Sequence, residues 1–271
     1  IEYRTGSRAY TDVYSGFSQM ESGVARRLFK NINARDNHKF PLTKNNIRDA
    51  SFIARKKFSE ETLAKLKAKG KEMGATVNEM LLAAYFYSVY ELAGFPASDQ
   101  VMISSAIDLR RHMETVADKG FTNHTAWMQC AIPERGRDIF ETVQYVVRSS
   151  NRFKKDKFMG LYGLPLLNFG YSILPHAASE EIIKIGYSNP YMAMSNIGII
   201  KGEHLSLCGN EPTDAFMSGA VKYKPFVLLT ATTYKNVITL SMCVRGNDKD
   251  KEIVGQFFDL MEKNIKALTN E

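Results

Sequence analysis

Apolar and polar positions fall into regular periods only after about residue 50. Residues 1–50 mix charges with scattered Asn, Gly and Ser and read as an irregular connector, with one helix near 19–29. The stretch 51–58 predicts an edge strand. Ser59 then caps a helix with Glu60 and Glu61 in its first turn, Lys65, Lys67, Lys69 and Lys71 toward its end, and Gly74 closing it. Thr76-Val-Asn-Glu79 is a capping box opening a helix that runs to Leu92 and stops at Gly94. Met80, Leu81, Leu82, Tyr85, Phe86, Val89 and Tyr90 surround that helix with apolar side chains, so it is expected to be buried on several sides.

Strands are expected at 100–107 and 122–132, and a helix opened by Asp138 and Glu141 carries Phe140, Val143 and Val147. Residues 160–186 read as one or two kinked helices and 191–200 as a strand. Three more strands are expected at 213–221, 226–234 and 237–244, the last two joined at Lys235-Asn236 as a hairpin. Ile238, Leu240, Met242 and Val244 give the final strand one apolar face. Asn247 caps a closing helix with Ile253, Phe257, Leu260, Met261, Ile265 and Leu268 on one side. Strands interleaved with helices and ending in a hairpin predict a mixed, largely antiparallel sheet covered by helices, an α/β fold of the α+β sandwich type.

With 44% hydrophobic and 24% charged residues, the composition is that of an ordinary globular protein, and no apolar run is long enough for a membrane span. The chain starts at Ile1 without a signal-peptide pattern, so an internal start and a cytoplasmic location are expected. Cys130, Cys208 and Cys243 lack disulfide or zinc spacing and read as reduced, small hydrophobes. The net charge of +7 is concentrated early: residues 1–75 hold 16 Lys+Arg against 8 Asp+Glu, and the rest is near neutral at 20 against 21. A basic segment suits an acidic carrier protein, a phosphorylated cofactor or simply solvent; no nucleic-acid-binding signature accompanies it.

Four stretches carry a family resemblance. They are Ala75-Thr-Val-Asn-Glu-Met-Leu-Leu-Ala-Ala-Tyr85, Ile107-Asp-Leu-Arg-Arg111, Ser188-Asn-Pro-Tyr-Met-Ala-Met-Ser-Asn-Ile-Gly198, and Asp214-Ala-Phe-Met-Ser-Gly219 with Lys222-Tyr-Lys-Pro225. In this order, over residues 50–270, the chain resembles the C-terminal lobe of the chloramphenicol-acetyltransferase-like superfamily, which includes condensation domains, and is most similar to bacterial condensation-like proteins. The resemblance implies a connector over 1–50 and an acyltransferase-like lobe over 51–271. A preceding N-terminal lobe would carry a His-His-x-x-x-Asp-Gly motif, whose second His acts as general base. The acceptor hydroxyl or amine would then attack a thioester on coenzyme A or on the phosphopantetheine arm of an acyl carrier protein.

That motif is absent from this sequence. His38, His112, His124, His176 and His204 are isolated, and none has Asp four positions on. No catalytic residue and no metal ligand is therefore assigned, and no resident cofactor is expected. Ser195, Asn196 and Gly198 interrupt an apolar strand and read either as a bulge or as lining of a substrate channel. Asn123, Asp214 and Ser218 are the other channel candidates, while turn chemistry also accounts for Asp214. Asp108 and Arg110 read as a structural ion pair, and His124 as a surface or capping residue. Lys222, Tyr223 and Lys224 read as exposed hairpin residues or as a phosphate or pantetheine contact. The alternative function is a non-catalytic interaction module that self-associates into a homo-oligomer through its apolar lobe face.

Overall fold

The computed structural model describes residues 37–112, 123–155, 161, 170, 172–186 and 190–270. These fall into two compact units, each taken by itself below. The strands are β1 (Ala50–Phe58), β2 (Val101–Asp108), β3 (Thr125–Ile132), β4 (Met192–Ile199), β5 (Lys222–Tyr223), β6 (Val227–Tyr234) and β7 (Val237–Gly246). The helices are α1 (Glu60–Met73), α2 (Val77–Ala93), α3 (Ile139–Lys154), α4 (His176–Gly186) and α5 (Asp248–Thr269). The seven strands form one sheet in the order β1-β7-β6-β4-β2-β3, with β5 beside β7. Antiparallel ladders join β1 to β7 and β6 to β7, and β4 lies parallel to both β2 and β6.

The larger unit contains Asn37–Ser105, Gln129–Asn151 and the described part of Pro190–Glu271. Its helices form where their caps require. The Ser59 side chain accepts from the Thr62 N–H, and Gly74 closes α1 in the left-handed region at φ 65°. Thr76 and Glu79 complete the capping box of α2, and Gly94 ends that helix at φ 67°. The α2 helix is buried nearly all round, from Met80 to Phe86 and again at Val89 and Tyr90. Its Tyr85 ring meets Phe257 of α5 edge-on at 5.1 Å, and Asn264 of α5 donates to Ser88 of α2 at 2.9 Å. Buried Glu79 also accepts from Ser150 of α3, so that carboxylate joins two helices. Ile238, Leu240, Met242 and Val244 of β7 are buried on the sheet face covered by α1 and α5. Each such aliphatic side chain contributes about 1.5–3 kcal/mol on burial.

The β6–β7 hairpin turns at Lys235 and Asn236, both at positive φ (45° and 63°), the two-residue turn whose twist matches its strands. The strand expected at 213–221 does not form. Both edges of β7 are taken, by β1 on one side and by β6 and β5 on the other, and β6 is already paired with β4 and β7. With no free ladder beside it, the segment crosses the sheet face instead, and only Lys222–Tyr223 pair as a strand.

Residues 37–49, expected within the connector, are held to this unit. Phe40 is buried and meets Phe257 edge-on at 5.1 Å, and His38 bonds Asp99 at 3.1 Å while its ring meets Phe95. The helix expected at 19–29, and residues 160, 162–169 and 171 of the kinked helical stretch expected over 160–186, lie outside the described residues. The smaller unit comprises the described parts of Ala106–Met128 and Arg152–Asn189, including α4. No helix among the described residues is long and apolar enough to cross a membrane.

Candidate functional site

The sheet face turned away from α1 and α5 carries the chemistry. Ladder registers place Ser195 of β4, Thr230 of β6, Ser241 of β7 and Arg55 of β1 in one row across four strands. The next row holds Gly198, Thr232, Thr239 and Lys57. Both rows are polar because alternate residues of β6 and β7 are hydroxylated while their neighbours in sequence face the core.

Residues 211–221 form a strap over these rows. At its start Tyr234 donates to the Pro212 carbonyl at 2.7 Å, and Lys235 pairs with Glu211 at 3.4 Å. Asp214 accepts from Lys57 at 2.6 Å and lies 3.5 Å from Arg55. The Lys57 ammonium, with Arg55 beside it, holds the Asp214 carboxyl below its usual range. Arg55 also stacks its cation over Phe216, 5.1 Å from the ring centre. In the middle, the Met217 carbonyl accepts from Thr230 and Ser241, each at 3.1 Å, and the Met217 N–H donates to Thr232 at 3.4 Å. Hydroxyls thus satisfy the strap's backbone where a neighbouring strand otherwise would. Gly219 sits where a Cβ would come within 2.7 Å of Leu228, so the strap lies tight on the sheet.

The interruption of β4 is a bulge. Asn196 pairs with Ala231 and Gly198 with Thr232, leaving Ile197 as the extra residue. Gly198 has φ 85°, and its N–H donates to the Asn196 side chain at 3.0 Å. Ser195, Gly198, Asp214 and Ser218 therefore belong to one face and its strap, with the Ser218 hydroxyl turned to the Gly219 carbonyl at 3.1 Å. Asn196 is spent on the bulge.

In the smaller unit Asn123 accepts from the Thr125 N–H at 3.0 Å, closing a local turn. Asp108 accepts from both the backbone and the side chain of Arg110, at 2.9 and 3.2 Å. His124, expected as a surface or capping residue, is buried at 5% exposure. Burial, and then the Arg110 charge, lower its pKa against the opposing pull of Asp108.

Two further expectations are corrected. Lys224 is not an exposed hairpin lysine: its side chain is 3% exposed and its ammonium lies 2.7 Å from Asp49 and 2.9 Å from Asp250. A lysine already neutralised by two carboxylates has no charge to offer a phosphate. Cys208 is exposed, at the corner of a tight turn that pairs Leu207 with Asn210. Its φ of 51° belongs to that turn and not to core packing. Cys130 fits the expectation of a small core residue, and burial pushes its thiol up to about 12.

No family model and no curated protein matches the chain. Solved structures do. Over 93% of its length it superposes on 56% of the epimerization domain from the third module of tyrocidine synthetase B, with TM-score 0.62 and 11% identity. PapA2 acyl transferase matches at TM-score 0.63 and 13% identity, over 100% of this chain and 58% of that one. The first condensation domain of the calcium-dependent antibiotic synthetase matches at TM-score 0.54 and 10% identity, over 99% and 56%. The chain spans a little over half the length of each.

Proposed function

We propose that this chain, which has the fold of condensation domains and related acyltransferases, is the C-terminal lobe of an acyltransferase. The parent protein moves an acyl group from a coenzyme A or carrier-protein thioester to a hydroxyl or amine. The observation that supports this is the superposition of nearly the whole chain on about half of each neighbour. The general base is assigned to a His-His-x-x-x-Asp-Gly motif outside this chain, because none of its five histidines has the required partners. In this reading the polar face with Ser195 and Gly198, and the strap with Asp214 and Ser218, border the acyl channel. The donor thioester is a substrate and not a resident group.

The test is an acyl-transfer assay of the parent polypeptide with acyl-coenzyme A and acyl-phosphopantetheine donors, following thiol release and product mass with amine and hydroxyl acceptors. Transfer that disappears when the second motif histidine becomes Ala supports the reading. A parent polypeptide with neither the motif nor transfer overturns it.

A second reading, a self-associating interaction module, is favoured by one observation. Ile53 and Tyr223 are 54% and 59% exposed and flank β7 on the same sheet face, beside Cys243 and Arg245. Sedimentation of the isolated chain separates the readings: a discrete, stable oligomer favours the module, and a monomer or a heterogeneous aggregate favours the lobe.

A further inference from the structure

The segment 43–49 has an unusual basis for its order. Between Thr43 and Arg48 no residue is buried, and Ile47 is 93% exposed. Apolar burial therefore does not hold it. Polar bonds do, and they converge on a single buried ammonium. Lys224 donates to Thr43 Oγ1 and to the Lys44 carbonyl, both at 3.0 Å, and contacts Asp49 Oδ2 at 2.7 Å and Asp250 Oδ2 at 2.9 Å. Its own carbonyl accepts from Asn45 at 3.1 Å. Asp250, in the first turn of α5, also accepts from the Thr43 N–H at 2.8 Å and from the Thr43 hydroxyl at 3.0 Å. The Asp49 carboxylate accepts from the Asn46 N–H at 3.0 Å, and Arg245 donates to the Asp49 carbonyl at 3.0 Å.

We propose that Lys224 is an electrostatic clasp. Its charge, and not the packing of the segment, fastens residues 43–49 to the turn before β6 and to the first turn of α5. Phe40, the nearest buried apolar anchor, lies three residues before Thr43 and fixes only the approach to the segment. Without the ammonium, Asp49 and Asp250 face each other as buried carboxylates with no cation between them, and the Lys44 carbonyl loses its donor. A buried charge left without its partner is costly enough to expel the segment that carries it. The clasp is independent of the acyltransferase reading.

Hydrogen exchange by mass spectrometry on the full 271-residue chain tests this. In Lys224→Met, amides of 43–49 are expected to exchange about 100-fold faster, while those of β6 keep their protection. Thr43→Val removes only the hydroxyl, which donates to Asp250 and accepts from Lys224 and Asn247, and leaves the ammonium and both carboxylates in place. It is expected to give a smaller, local rise of about 5-fold, and it carries the test if Lys224→Met does not fold. Wild-type exchange over 43–49 in the variant that folds, or a rise no greater than that of β6, overturns the clasp.

Discussion

Lys57 of β1 donates a 2.6 Å hydrogen bond to Asp214, 157 residues further along the chain. That bond ties the start of the strap to the sheet's edge strand. It is exposed, and exposed pairs contribute at most about 1 kcal/mol. Asp214→Asn is therefore expected to leave the melting temperature nearly unchanged while loosening the strap. Faster hydrogen exchange confined to 212–221 is the expected signature. The Asp214 carboxyl is held low in the folded chain, so the tether is fully present above the ordinary value of 3.8 and disappears as pH falls through the lower folded value.

The Thr230 and Ser241 hydroxyl oxygens lie 2.6 Å apart and each lies 3.1 Å from the Met217 carbonyl, so two protons are divided among three contacts. Thr230→Val keeps the shape and removes one of two buried hydroxyls that hold the strap's backbone. A loss of about 1–2 kcal/mol is expected in urea unfolding. Because the two hydroxyls serve one carbonyl, Thr230→Val with Ser241→Ala is expected to deviate from the sum of the single variants.

The Lys224 cluster predicts stability losses at both ends of the pH scale. Burial raises the Asp250 carboxyl, but the Asn247 N–H and the Lys224 ammonium more than offset this and hold it low. Lys224 and the Asn46 N–H hold Asp49 low as well. Both carboxylates thus stabilise the fold above 3.8, and this is lost as pH falls through their folded values. Burial lowers Lys224, yet its two carboxylates raise it further, so its contribution is complete below 10.5 and lost as pH rises through the folded value. Unfolding followed by circular dichroism across pH is expected to show both limbs. Lys224→Met should lack the share of the alkaline limb that Lys224 supplies.

Two glycines near α5 are expected to respond in opposite directions. A Cβ on Gly246 would lie 2.8 Å from the Asp250 Cβ and 2.7 Å from its Oδ2, against a carboxylate that the cluster holds still. Gly246→Ala is expected to cost about 1–3 kcal/mol. Gly255, inside α5, has nothing within 4 Å of its would-be Cβ, and Gly255→Ala is expected to gain about 0.5–1 kcal/mol. Paired denaturant titrations check both signs.

What the sequence revealed follows the range of the forces involved. The caps at Ser59, Thr76 and Asn247 and the stops at Gly74 and Gly94 are local, and each lies where the residue pattern puts it. The hairpin at Lys235-Asn236 is local as well. The bulge between Asn196 and Gly198 was legible because polar residues break an apolar strand. The strap was not, since 213–221 alternates well enough for a strand and only the lack of a free ladder denies it one. Lys224 could not be read either: its surroundings come from Asp49 and Asp250, which no local pattern connects to it. A lysine followed by proline, with one aspartate just before β1 and another in the first turn of α5, is too faint a signal without the pairing of β5 to β7.

The bulge in β4 has a consequence for how this strand tolerates changes in length. Ile197 is the one residue without a register partner on β6, while Ser195 and Gly198 keep theirs on either side. Removing Ile197 alone would leave every other β4–β6 pairing where it is and convert the strand to an uninterrupted ladder. Removing Asn196 instead would let Ile197 take its place opposite Ala231, with Gly198 still opposite Thr232. The loss of one residue from β4 is therefore absorbed at the bulge, and a shortened chain lacking only Ile197 should still assemble its sheet.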